Sequence, residues 1–205
     1  MTIKSLSAVL IMLAAFTIMA ACGKRDRQAG DFTAAELAMI HESDSIMRVL
    51  TIDAPSDLAV LRSLSYDLSD SALLSDDFKR LAELMVATVT HPSQDGVGIA
   101  GPQVGLNRRI VAVQRFDKEG EPFEVYPNVR ILWASDSLAT GPEGCLSVPD
   151  RRGDVLRSQE IVIEYADIAG VQVPMVRDTV SGFTAVIFQH EVDHLDGVLY
   201  IDRLR

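Results

Sequence analysis

His190-Glu191-Val192-Asp193-His194 sets two imidazoles four residues apart, with a carboxylate next to the first. On an α-helix, residues i and i+4 share one face, so both rings can reach a single metal ion. Glu191 then lies about 100° around the helix, beside the open position of that metal. There a carboxylate can take a proton from an attacking water and pass it to a leaving nitrogen. The chain has 4 histidines, and two of them stand at this spacing around a Glu. That weighs against an ordinary helix with two structural histidines. The preceding residues, Thr184 to Gln189, are mainly apolar, as expected of a buried helix.

Two histidines do not complete a catalytic metal site, and the third ligand decides the enzyme class. One protease pattern continues as H-E-x-x-H-x-x-G-x-x-H. Gly197 fits it, but Tyr200 stands where the third His belongs. Another pattern takes a Glu further downstream, and residues 195–205 contain none. The third ligand must therefore lie upstream: His41, His91, Cys145 or a carboxylate. Cys145, in Glu143-Gly144-Cys145-Leu146-Ser147-Val148-Pro149, is the best candidate. A thiolate is a soft, strong ligand for Fe²⁺ or Zn²⁺, and binding lowers its pKa. Gly144 lets the backbone pass close to an ion. The plain alternative for such a cysteine is a small buried hydrophobe.

A third segment, Gly96-Val97-Gly98-Ile99-Ala100-Gly101-Pro102-Gln103, precedes both. Alone it reads as a flexible loop. The three segments in this order, with Gln189 before His190 and Gly197 after His194, resemble the motifs of the peptide deformylase family. The likeness runs from about Ile46 to Leu204. It departs at Gly101, where the family usually has Ala, and at Val129, where Pro commonly follows Asn. The resemblance implies that Cys145, His190 and His194 bind one divalent metal, usually Fe²⁺, with Zn²⁺ as the alternative. It makes Glu191 the acid/base, and Gln103 with the backbone N–H of Leu146 the holders of the oxyanion. Fixed dipoles of that kind need no reorganisation as charge develops. It also implies that Gly98 presents backbone to the substrate and that Arg152 is a basic residue near it. Phe183, Val186 and Ile187 share a face with His190 and would line a methionine pocket. The implied substrate is an N-formylmethionyl peptide or a related N-acyl peptide.

The elements that must position these groups are legible in outline. Thr33-Ala34-Ala35-Glu36 is a capping box opening a short helix to about Ile40. Residues 47–52 suit a strand, and Pro55 with Asp57 a turn. Residues 76–91 form an amphipathic pattern, with Phe78, Leu81, Leu84, Met85 and Val89 on one face and Ser75 as N-cap. Strands are expected over 109–116, 123–126, 129–134, 160–166 and 171–176, the last two joined as a hairpin by Asp167-Ile168-Ala169-Gly170. A final helix spans 183–195. Strands cluster mid-chain without regular strand–helix alternation, so the class is α+β, with antiparallel sheets around the C-terminal metal-binding helix.

The N-terminus reads as an address. Residues 1–21 carry one charge, Lys4, then an apolar run from Leu10 to Ala20, then small residues before Cys22. This is the layout of a secretory signal, with a run short for a membrane span. Met19-Ala20-Ala21-Cys22 resembles a lipobox, with Met19 where Leu is usual. Residues 22–32 read as a polar tether and 33–205 as one catalytic domain. An exported, lipid-anchored protein of the cell envelope is the expectation. The net charge of −10, with no long Lys/Arg cluster, argues against nucleic acid as a partner. Two alternatives stay open: an exported zinc amidase or peptidase acting on another N-acyl peptide, and an inactive lipoprotein that binds formyl peptides. The second is weakened because Glu191 and all three ligand positions are intact.

Overall fold

The computed structural model describes residues 29–205, so the signal segment and Cys22 lie outside the described residues. Helix α1 (Ala34–Glu42) starts at Thr33 in the expected capping box, with Thr33 and Glu36 bonding reciprocally. Helix α4 (Asp76–Val89) is capped by Ser75 and buries Phe78, Leu81, Leu84, Met85 and Val89. Between them lie α2 (Pro55–Leu61) and α3 (Asp70–Leu73). Eight strands follow: β1 (Gly98–Ala100), β2 (Ile110–Gln114), β3 (Phe123–Pro127), β4 (Arg130–Ala134), β5 (Leu138–Cys145), β6 (Val148–Ser158), β7 (Glu160–Ala166) and β8 (Met175–Ser181). Helix α5 (Gly182–Leu195) is the last long element.

The strands pair antiparallel as β1-β2-β3, β4-β7-β8 and the ribbon β5-β6. Strand β2 shows how the layers stack. Ile110 and Ala112 join the core under α4 with Phe78, Leu81 and Met85. Val111 and Val113 join the core around α5 with Ala185, Ile187 and Phe188. All four strand residues are fully buried, which requires helices on both faces of the sheet. The second core also takes Ile161, Ile163 and Val180 from the other sheet, so α5 is wrapped by both. This is the expected α+β arrangement.

Several local expectations are corrected. Residues 47–52 form no strand. Their backbone N–H groups bond singly to separate elements: Met47 to Thr88 Oγ1 (2.8 Å), Leu50 to Gln103 O (2.8 Å) and Ile52 to Ser147 O (2.9 Å). The segment ties two of the motif loops together rather than joining a sheet. Pro55 opens helix α2 instead of a turn, because its fixed φ and missing N–H suit a first helical position. The last strand starts at Met175, later than 171, because the connection after β7 stays irregular until Asp167 N meets Pro174 O. The ribbon β5-β6 was not expected. Its sequence is rich in Gly, Pro, Asp and Arg and largely exposed, so no apolar alternation marks it. Residues 30–32, read as tether, pack on the body: Gly30 bridges Leu68, and Arg108 donates to Asp31 O (2.7 Å).

Candidate metal centre and its cleft

The chemistry-bearing residues come from three elements. Helix α5 carries His190, Glu191 and His194, strand β5 ends at Cys145, and the segment after β1 carries Gln103. Two motif residues fix α5 in place. Gln189 accepts from Ser158 N (3.0 Å) and donates to Ser158 O (2.8 Å), so its amide acts as an extra strand rung. Gly197 has φ +72°, and a Cβ there would lie 2.4 Å from the carbonyl oxygen of Arg62. Only glycine lets the chain leave α5 against that backbone.

Cys145, His190 and His194 bring one ligand atom each within 4.8 Å of one another. Cys145 Sγ lies 3.1 Å from His194 Nε2. His41 and His91 are elsewhere: His41 pairs with Asp77 (2.8 Å) and His91 with Ser93 (2.8 Å). Of the candidates left open above, the fold thus selects Cys145. Thiolate and imidazole ligands about 2.0 to 2.3 Å from a tetrahedral ion stand about 3.5 Å apart, which this triad can meet. The donor set suits Fe²⁺ or Zn²⁺ better than a hard cation.

A buried network supports the triad. His190 Nδ1 bonds Glu143 Oε2 (2.8 Å), which leaves Nε2 for the metal side. Arg157 forks onto Glu143 (2.8 and 3.0 Å) and reaches Asp193 Oδ2 (2.6 Å). At the surface, the half-exposed Arg203 then holds Asp193 through two bonds of 2.6 Å. Burial opposes the Glu143 charge, yet the bonds from His190 and Arg157 win and pull its pKa down to about 2. For His190, burial is likewise outweighed, by hydrogen bonds to Cys145 and Glu143, and its pKa rises to about 10. His194 goes the other way: burial, then the nearby positive charges of His190 and Arg157, hold it well below the usual value. Sequence reasoning quoted Glu143 and Asp193 as motif letters without giving them a role, and missed Arg157 and Arg203. Only their spatial convergence marks them.

Glu191 is 4% exposed, and its Oε2 has no hydrogen-bond partner among the described residues. Burial, partly offset by His190, raises its pKa to about 7, the range in which a carboxylate can both accept and return a proton. Gln103 is oriented: its Oε1 accepts from Ala100 N (2.8 Å), so Nε2 faces Ser147 Oγ (3.3 Å) and Cys145 Sγ (3.5 Å). Rather than a flexible loop, its segment is β1 followed by a 3-10 turn at Gly101–Val104. At Gly101 a Cβ would lie 2.7 Å from Arg108 O and 2.8 Å from Leu106 O, so the departure from Ala matches a close backbone approach.

A cleft of about 780 Å³ opens onto these groups. Gly98, Gln103, Cys145, Leu146, His190 and Glu191 all line it. Arg152, Phe183, Val186 and Ile187 line it too, so every proposed substrate residue faces one space. Phe183 is 55% exposed, which places it at the rim, where it packs on Phe116 (5.2 Å between centroids).

Residues 46–205 match the family model described as "Polypeptide deformylase". The chain is 38% identical over 168 residues to the "Peptide deformylase" of Leptospira biflexa, covering 78% of this chain and 89% of that protein. It is 41% identical over 147 residues to "Peptide deformylase 2" of Gloeobacter violaceus, covering 71% and 74%. Among solved structures, the actinonin-bound class I type b peptide deformylase from Acinetobacter baumannii superposes with a TM-score of 0.67 at 34% identity, covering 79% of this chain and 100% of that one. The peptide deformylase from Thermotoga maritima gives a TM-score of 0.67 at 31% identity, covering 79% and 99%.

Proposed function

The chain belongs to the polypeptide deformylase family, and from that premise we propose that its cleft hydrolyses the N-formyl group of N-formylmethionyl peptides, with Cys145, His190 and His194 as metal ligands. The convergence of those three ligand atoms beside a buried, unpartnered Glu191 carries the reading. Relatives of this fold are known with Met-Ala-Ser and with actinonin bound, which supports a peptide in the cleft.

A bound divalent ion supplies Lewis acidity, polarising the formyl carbonyl and acidifying water. The chain's own groups do the rest. Glu191 accepts the proton of the attacking water and returns it to the departing amine nitrogen. Gln103 Nε2 and the backbone N–H of Leu146 receive the negative oxygen that forms as the formyl carbon becomes tetrahedral. Gly98 offers backbone to the peptide; Val186, Ile187 and the rim residue Phe183 surround the methionine side chain; and Arg152 stands where the peptide leaves. Glu143 keeps His190 in one tautomer and orientation.

The metal is Fe²⁺ by family resemblance, and Zn²⁺ fits the same donors. Residues 1–21 act as an export signal and Cys22 as a lipidated anchor, a reading supported by the short apolar run ending in Met19-Ala20-Ala21-Cys22. In an oxidising compartment Fe²⁺ exposes its thiolate ligand to oxidation, which favours Zn²⁺ there. Cys22→Ser should abolish lipid labelling, and unchanged labelling would refute the anchor.

The test of the activity is deformylation of formyl-Met peptides by protein loaded anaerobically with Fe²⁺. In Glu191→Ala, metal content should stay normal while turnover falls on the order of 10²- to 10⁴-fold. Near-normal turnover in that variant would assign the proton transfer to another group.

A further inference from the structure

The turn that ends at the metal centre has an unusual excursion. In the β5-β6 register Cys145 faces Val148 and Gly144 faces Arg152, so Pro149, Asp150 and Arg151 oppose no residue on β5. Asp150 takes φ +57°, which turns the chain outward. Such bulges re-aim side chains beside active sites. Here the excursion carries two consecutive arginines, Arg151 and Arg152.

Both arginines line the active-site cleft, and both line a second cavity of about 530 Å³. With Asp150 they form the wall that the two share, and Tyr200, Ile201, Asp202 and Leu204 line the second cavity alone. Among the described residues, neither arginine's side chain makes a hydrogen bond or an ion pair. Of the two acids that line the second cavity, Asp202 is paired with Arg62 and accepts from Leu199 N (3.0 Å), and Asp150 forms no ion pair with either arginine among the described residues. In a chain of net charge −10, two consecutive arginines that line the same cavities and hold no ion pair form a local contrast.

We propose that Arg151 and Arg152 bind the free C-terminal carboxylate of a short formylated peptide, making this enzyme selective for released peptides over long chains. The proposal rests on the deformylase reading above, which fixes the formyl end of the substrate at Cys145. Arg152 lies across from Gly144, the neighbour of Cys145, so the wall stands within a few residues of the reacting carbon. An extended tripeptide spans only about 10 Å, at about 3.4 Å per residue, and ends at this wall. A longer chain carries its terminus past it. Guanidinium forks match a carboxylate in charge and geometry.

The test compares kcat/KM of the metal-loaded full chain for formyl-Met-Ala-Ser as free acid and as C-terminal amide. The acid should be favoured about 5- to 10-fold, through KM rather than kcat. The preference should shrink in 1 M salt, where screening shortens to about 3 Å. It should fall to about one in Arg151→Gln/Arg152→Gln and partway in Arg151→Gln. An amidated formyl-Met-Ala-Asp separates the two sources of a carboxylate. If it matches the free acid, a side-chain acid is what binds and the proposal fails. An acid-to-amide ratio near one in the unmodified chain, or a ratio unchanged in the double variant, also overturns it. Calorimetric binding of Met-Ala-Ser and its amide reads the same preference without turnover. Absence of turnover on both substrates would then sink the deformylase reading alone, while the binding ratio still decides this one. If the double variant lost binding to phosphatidylglycerol vesicles with its acid-to-amide ratio intact, the pair would face a phosphate surface instead.

Discussion

Gly98→Ala is the most direct probe of how the fold positions Glu191, the carboxylate proposed to carry the proton. A Cβ at Gly98 would lie 2.5 Å from Glu191 Oε1 and 2.8 Å from Ile187 Cγ2. Glu191 and Ile187 are one turn apart on α5, so the methyl would press on a single face of that helix. Both side chains are at most 4% exposed, and Ile99 and Ala100 beside the glycine are fully buried, so little can give way. To regain an ordinary contact at 3.4 Å, Oε1 must retreat by about 0.9 Å. A misplacement of about 1 Å costs on the order of 10²-fold in rate. Overpacking a tight core costs about 1–3 kcal/mol, and each kcal/mol lowers Tm by about 2–4 °C in a chain of this size. We therefore expect kcat to fall about 100-fold and Tm to drop by about 2–12 °C, with metal content unchanged because Cys145, His190 and His194 are not touched. Steady-state kinetics, thermal unfolding and elemental analysis measure the three. A kcat within about threefold of the unmodified protein would refute the idea that β1 sets the position of Glu191.

Cys145→Ser should lose most of its bound metal after equilibration with a weak chelator, because a serine hydroxyl is a far poorer ligand than a thiolate. Full retention, read by elemental analysis, would remove Cys145 from the site. Acid stability should depend on Glu143. Its folded pKa is depressed from 4.5 to about 2, so its contribution is fully present above about pH 4.5 and is lost as pH falls toward 2. That contribution is on the order of 3 kcal/mol. Urea unfolding of metal-free protein at pH 6 and pH 3 should show a smaller loss in Glu143→Gln than in the parent, and equal losses would exclude Glu143 as the source.

The three motifs carry the site in the sequence because metal chemistry restricts residue types, and a helix restricts their spacing to four. His190, Glu191 and His194 were legible from local geometry alone. Cys145 needed elimination and resemblance, since 44 residues lie between it and His190 and no local rule spans that gap. Helices α1 and α4 announced themselves through caps and apolar periodicity, which are short-range signals. The ribbon β5-β6 did not, because most of its residues are exposed and its few buried ones, such as Val148 and Val155, lie too far apart to make an alternating pattern. Residues 47–52 looked like a strand by composition, yet strand formation requires an available sheet edge, and tertiary packing offered three separate acceptors instead.

The sequence by itself therefore determined the α+β class and pointed to the candidate ligand types and the carboxylate beside them, all set by local spacing and side-chain chemistry. Only the tertiary structure decided which upstream residue completes the triad. It also decided that Glu143, Arg157, Asp193 and Arg203 form one chain of contacts running from buried His190 to the surface, and that Arg151 stands with Arg152 between two cavities. Those relations join residues distant in sequence, and the closure of the sheets around α5 is what makes them neighbours.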